Sequence, residues 1–204
     1  MVSEIRVYVE GGGDGKDTKA AMRQGFGRFL CEVREAARAG RVHWSVIACG
    51  GRGATYDAFR TALRTHTDAV NILLVDAEGP VSANSVAHMR KRDGWELPNA
   101  SDEHCHLMVQ LMEAWLIADT DALASYYGQG FRPNAIPASP NVERVAKADV
   151  ERSLAAATRE TTKGEYHKTR HAPAILGLLD AALVRRAAPH CERLFSRLLG
   201  LIEA

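Results

Sequence analysis

The sequence predicts an α/β fold, a mostly parallel sheet with helices on both faces and a helical C-terminal extension. Three observations predict it. Residues 5–9 and 42–48 are short runs rich in β-branched and aromatic residues, and 70–75 is almost wholly apolar, as strands covered on both faces should be. Helical patterns alternate with these runs, which is the order that builds a parallel sheet. The chain has 204 residues, 46% of them hydrophobic and 25% charged, enough for one sizeable core.

Taken in order, residues 5–9 form a first strand that stops at the loop Glu10-Gly11-Gly12-Gly13-Asp14-Gly15. Residues 16–39 then read as one helix. Met22, Phe26, Phe29, Leu30, Val33 and Ala37 recur at three- and four-residue intervals on one face, and Gly40 terminates it. A second strand at 42–48 leads through the glycine turn 50–53 into a helix over 54–65, with Tyr56, Phe59, Ala62 and Leu63 inward. The strand at 70–75 precedes a helix over 81–92 that ends in the basic run Arg90-Lys91-Arg92. Residues 106–110 supply a fourth strand and lead into the apolar segment 111–118. Residues 128–140 carry three prolines and two glycines, a loop. Helices are expected beyond it at 149–158, 171–188 and 190–202. The expected organisation is a core over 1–127, with 128–204 a loop plus helical extension completing the same domain.

Lys and Arg number 26 against 25 Asp and Glu, a formal charge of +1, so the molecule has no overall field to draw in nucleic acid or an anionic membrane. Polyanion binding would need a local patch such as Arg90, Lys91 and Arg92, or a partner. No apolar run reaches the roughly 18 residues of a membrane span, and four scattered cysteines fit a reducing compartment, so a cytoplasmic protein with no membrane partner is expected.

Four groups of residues could carry chemistry. Glu10 and Asp14 lie in a glycine loop at the carboxyl end of the first strand, where parallel α/β sheets bind ligands. The competing reading is a turn whose acids cap the next helix. A phosphate-binding P-loop is rejected, because Glu10 stands where that motif needs Gly and Asp17 where it needs Ser or Thr. Asp76 and Glu78 follow the third strand; if the chain stays extended there, both carboxylates project together from the same sheet edge. Such a pair repels unless a cation neutralises it, and a hard ion such as Mg²⁺ suits carboxylate oxygen.

Glu113 sits inside an apolar stretch, so it must be paired, exposed or metal-bound; a structural ion pair is the bland alternative. Asp119 can join such a site or cap the following helix. The late basic segment with Lys163, His167, Lys168, Arg170 and His171 could hold phosphate or stabilise transition-state charge, with a solvated loop as the alternative. Lys168 is preferred over Lys163. His104-Cys105-His106 has no further ligand at zinc spacing, and no nucleophile motif for serine or cysteine catalysis is present.

The order of these residues resembles a Toprim domain, the acidic module of topoisomerases, bacterial primases and a set of nucleases. Val9-Glu10-Gly11 matches its first motif, and Asp76-Ala77-Glu78 approximates its Asp-x-Asp motif. Asp14 stands where nucleases related to the overcoming-lysogenization-defect proteins carry a second acid. The resemblance implies a Toprim-like, Rossmann-like fold and metal ligation by Glu10, Asp14, Asp76 and Glu78. The segment 112–119 and the later Lys163, Tyr166 and Lys168 look like a bacterial Toprim-like family of unknown function, often encoded beside ATPases in phage-defence operons. Glu78 departs from the Toprim pattern, being one methylene longer than Asp.

The expectation is therefore a Mg²⁺- or Mn²⁺-dependent nuclease acting on DNA or RNA, the effector of a phage-defence system with an ATPase partner. Glu10, Asp76 and Lys168 are the expected catalytic residues; Glu10, Asp14, Asp76, Glu78 and Glu113 the expected ligands for one or two ions. The alternative is a catalytically weak Toprim scaffold serving as a regulatory or structural subunit. Nucleotidyl transfer lacks a recognisable template or nucleotide site.

Overall fold

Four parallel strands form one sheet in a computed structural model that describes residues 2–204. They are β1 (Glu4–Glu10), β2 (His43–Gly50), β3 (Val70–Asp76) and β4 (Cys105–Met108), in the order β2-β1-β3-β4. Val9 lies beside Ala48 on one side and Leu74 on the other, and Asp76 pairs with Met108. The chain runs outward one way from β1 to β2, then returns to add β3 on the other side. That reversal leaves a crevice beyond the carboxyl ends of β1 and β3, the position where open α/β sheets bind ligands. Glu10 and Asp76 are the last residues of those two strands.

Both sheet faces are covered because alternate residues along each strand are apolar on opposite sides. Val7, Val9, Ile72 and Leu74 face one core, built with α1 (Lys16–Phe29), α2 (Cys31–Ala39) and the later helices. Tyr8, Leu73 and Val75 face a smaller core with α3 (Arg52–Thr65) and α4 (Ser85–Asp93). Trp115 anchors the larger core, stacked on Phe29 with centroids 5.2 Å apart, and Phe195 meets Phe29 edge-on at 5.6 Å. That core draws on residues on both sides of position 128, from Ile5 to Leu201.

The predicted helix over 16–39 is two helices, broken at Leu30 (φ −90°, ψ 26°). Leu30 is fully buried, so the apolar face continues across the break and periodicity reads straight through it. The α4 helix begins at Ser85 rather than 81, with the Asn84 side chain accepting from Ala87 N at 2.8 Å, and ends at left-handed Gly94. Beyond β4 come α5 (Glu113–Ile117), α6 (Thr120–Tyr127), α7 (Lys147–Thr158), α8 (Lys168–Leu176), α9 (Ala181–Ala187) and α10 (Pro189–Glu203). The predicted helix over 171–188 thus starts earlier and is split. Asp180 caps α9, accepting from Ala182 N at 2.8 Å, and its own N–H donates to Asp119 Oδ2 at 2.8 Å.

Close packing of α8 on α1 brings Lys168 to the sheet edge. A Cβ on Gly25 of α1 would stand 2.4 Å from the Pro173 carbonyl oxygen, so only glycine permits this approach. All four cysteines are free, and no helix among the described residues is long and apolar enough to cross a membrane.

Candidate metal centre

Glu10, Asp76 and Glu78 each place a carboxylate oxygen within 4.8 Å of the others, an arrangement that can hold a metal ion. Glu10 and Asp76 arrive by sheet register. Asp76 N donates to Glu10 Oε2 at 3.1 Å, linking the ends of the two central strands. Asp76 Oδ1 accepts from Met112 N at 2.8 Å, so its buried carboxylate is oriented by the backbone leading into α5.

Glu78 arrives differently from the expectation. The chain does not stay extended after Asp76: Glu78 has φ +64°, a left-handed conformation that costs a non-glycine residue roughly 1–2 kcal/mol. Backbone bonds hold it there, Ala77 N to Met108 O at 2.8 Å and Glu78 N to Gln110 O at 2.6 Å. The carboxylates still converge, but through a turn and not a pleat. Strain of this kind, at a residue bearing the third carboxylate, is what functional sites retain.

Resident cations surround the acids. Lys168 Nζ lies 3.2 Å from Asp76 Oδ2 and 3.5 Å from Glu113 Oε2. Tyr166 donates its hydroxyl to Glu113 Oε1 at 2.9 Å, whereas the buried Oε2 has no hydrogen-bond partner among the described residues. Lys147 pairs with Glu78. Arg52 forks onto Asp93 (Nε to Oδ1 3.0 Å, Nη2 to Oδ2 2.7 Å), and its Nη1 donates to Glu10 Oε2 at 3.4 Å and to the Asp76 carbonyl. Its guanidinium lies 4.8 Å over Trp95, which stacks on Tyr56 at 4.2 Å.

These surroundings split the acids into two kinds. Burial, reinforced by the Asp76 charge, holds the Glu10 carboxyl above the usual range. Burial raises Asp76 as well, against the opposing pull of Lys168 and with the Glu113 charge adding to the rise. Glu78 is lowered, because the Lys147 hydrogen bond and charge outweigh its partial burial. Lys168 is raised despite burial, chiefly by Asp76 and Glu113. Raised, closely spaced carboxylates gain most from a hard cation, which supplies the charge that water no longer screens.

Glu113, expected as a ligand, lies outside the three-carboxylate cluster and is linked to Asp76 through Lys168. Asp14 does not join them. It is exposed on the loop before α1, whose N-cap is Gly15 with no side-chain cap, so the capping alternative does not apply either. Three consecutive positive-φ glycines, Gly11 to Gly13, separate it from Glu10. Asp119 caps α6, accepting from Ala122 N at 3.0 Å. Lys163 lies 5.1 Å over the Tyr126 ring.

Sequence reasoning missed Arg52, Asp93 and Lys147. Arg52 gave a faint signal as the one charged residue among Gly50, Gly51 and Gly53, at a strand's carboxyl end. Lys147 gave none, being remote in sequence from every acid it serves.

Comparison with known proteins adds one result. The DUF4276 family, described as a domain of unknown function, matches residues 9–199. The chain belongs to the DUF4276 family. No curated protein and no solved structure matches it. The DUF4276 match runs from the last two residues of β1 into α10 and includes Glu10, Asp76, Glu78, Glu113 and Lys168.

Proposed function

We propose that this protein is a divalent-metal-dependent nuclease that cleaves phosphodiester bonds. The observation that carries the reading is the convergence of Glu10, Asp76 and Glu78 within 4.8 Å at the crevice between β1 and β3. The all-oxygen donor set fits Mg²⁺ or Mn²⁺, and the buried Glu113 oxygen beside it, which has no hydrogen bond and faces the Lys168 ammonium at 3.5 Å, fits a cationic neighbourhood. Glu10, Asp76 and Glu78 would hold the ion, which supplies an activated water and stabilises the leaving oxygen.

The chain's own groups do the rest. Lys168 is half exposed, with its ammonium beside Asp76, and can meet an anionic phosphate from the solvent side. Tyr166 fixes Glu113, and Arg52 fixes Glu10 and the Asp76 backbone. Arg90, Lys91 and Arg92 are exposed at the end of α4, and Arg92 pairs with the same Asp93 that holds Arg52. A basic strip therefore begins at the centre's edge, where a nucleic-acid backbone would lie. The near-neutral overall charge favours a partner that delivers substrate, and the resemblance to families encoded beside ATPases makes a phage-defence ATPase that partner.

One observation favours the second reading, a structural or regulatory scaffold: Asp76, Glu78 and Glu10 each already face a lysine or arginine. The deciding experiment is cleavage of supercoiled plasmid and of a structured RNA with Mg²⁺ or Mn²⁺, against Glu10→Ala and a chelator. Cleavage that needs both metal and Glu10 is expected. Metal binding without cleavage assigns the activity to a partner-gated state; loss of both establishes the scaffold.

A further inference from the structure

The acids of this centre fall into two overlapping sets. Glu10, Asp76 and Glu78 converge on one point. The second set, Asp76 and Glu113, brackets the Lys168 ammonium at 3.2 and 3.5 Å. Two-ion sites for phosphodiester chemistry place their ions roughly 3.5–4 Å apart and share a carboxylate between them. Asp76 is the carboxylate common to both sets here, and a protein ammonium stands between it and the next acid.

We propose that the centre takes a single divalent cation and that Lys168 is the built-in replacement for the second. The proposal rests on the metal-centre reading above and specifies its stoichiometry. Charge accounting supports it independently of distance. Five carboxylates, those of Glu10, Asp76, Glu78, Asp93 and Glu113, face four resident cations, Arg52, Arg92, Lys147 and Lys168. With all five ionised, as metal ligation requires, the excess of one negative charge is overturned by one divalent ion. A second would leave a strongly positive cluster of partly buried groups, which repel one another at short range.

Lys168 is held for this position by the fold. It is the first residue of α8, the helix pressed onto α1 through Gly25. Tyr166, two residues earlier, is bonded to the same Glu113. Glu113, with one oxygen lacking a hydrogen bond, would be an uncompensated buried charge without the ammonium. Removing Lys168 should therefore create a vacancy whose two carboxylates suit a metal ion.

The test is a Mn²⁺ titration of the full chain followed by electron paramagnetic resonance and calorimetry. One ion per chain is expected for the wild type and for Lys168→Arg, which keeps the charge. Two are expected for Lys168→Ala, with a spin-coupled Mn²⁺ pair in its spectrum. Circular dichroism checks that the exposed substitution leaves the fold intact, and Lys168→Met serves as a second uncharged variant. Two ions in the wild type, or one in both uncharged variants, would overturn the proposal while leaving the metal centre standing. No ion in any of these proteins would overturn the metal-centre reading itself.

Discussion

Arg52 gives the sharpest test of how the centre is assembled. Replacing it by Met keeps much of the side chain's bulk over Trp95 but removes the guanidinium from Asp93, Glu10 and the Asp76 carbonyl. Breaking a fully buried ion pair by deleting one partner costs about 3–5 kcal/mol, because the remaining charge is left uncompensated. The side chains of Arg52, Asp93 and Glu10 retain 13%, 9% and 14% exposure, so water recovers part of that loss. A cost of about 2–4 kcal/mol is expected. At about 2–4 °C per kcal/mol for a chain of this size, the melting temperature should fall by roughly 4–16 °C. Urea denaturation of Arg52→Met, Asp93→Asn and the double variant measures it. The double variant should cost less than the sum of the singles by about 1–3 kcal/mol, since the direct Arg52–Asp93 interaction is then lost only once. Arg52→Lys should recover less than half, because an ammonium cannot fork onto Asp93 and the Asp76 carbonyl together. A single-variant cost under about 1 kcal/mol, or additivity within about 0.5 kcal/mol, would refute the clamp.

Three further outcomes follow from the same geometry. Glu10 and Asp76 bind protons more tightly folded than unfolded, with carboxyls raised to about 7 and about 6, so the stability they contribute at low pH is lost as pH rises from the ordinary carboxylate range to about 7. Thermal melts without metal should show that decline, and stabilisation by Mg²⁺ should grow across the same window; a pH-independent Mg²⁺ effect would contradict it. Gly25→Ala should destabilise by about 1–3 kcal/mol, since the new Cβ meets the Pro173 carbonyl, whereas Gly27→Ala on the same helix meets nothing and should stabilise by up to about 1 kcal/mol. Equal effects in chemical denaturation would exclude the close α1–α8 contact. Tyr166→Phe removes the one hydroxyl bonded to Glu113 and should cost about 1–3 kcal/mol in urea titrations, where an unchanged midpoint would remove Tyr166 from the centre.

The parallel sheet was legible because its first three strands are marked twice, by apolar content and by the glycines and acids at their ends. Val70 to Val75 is buried almost throughout, and such a run has few other homes in a chain of this length. Glu10 and Asp76 were legible for the same reason: each ends a strand, and strand ends at a topological reversal converge. The helix break at Leu30 was invisible, because the residue at the break is itself buried and keeps the period. Glu78 joins the carboxylate cluster by a left-handed turn and not by the expected pleat, since the two leave the same sequence trace. Asp14 stays outside the carboxylate cluster, because its spacing from Glu10 says nothing of the path the intervening glycines take. Arg52, Asp93 and Lys147 come from three separate segments and reach the acids only through tertiary packing, α3 and α4 on the sheet and α7 on α5, information no local pattern holds.

Binding of a divalent ion by Glu10, Asp76 and Glu78 can be tested without knowing the substrate. Fe²⁺ loaded in place of Mg²⁺ generates hydroxyl radicals on addition of ascorbate and peroxide, and these cut the polypeptide beside the ion. Mass spectrometry of the fragments should find cuts next to Glu10 and within residues 76–78, suppressed by excess Mg²⁺ and absent from Glu10→Gln. Cuts confined to other segments, or none that Mg²⁺ suppresses, would contradict the metal centre.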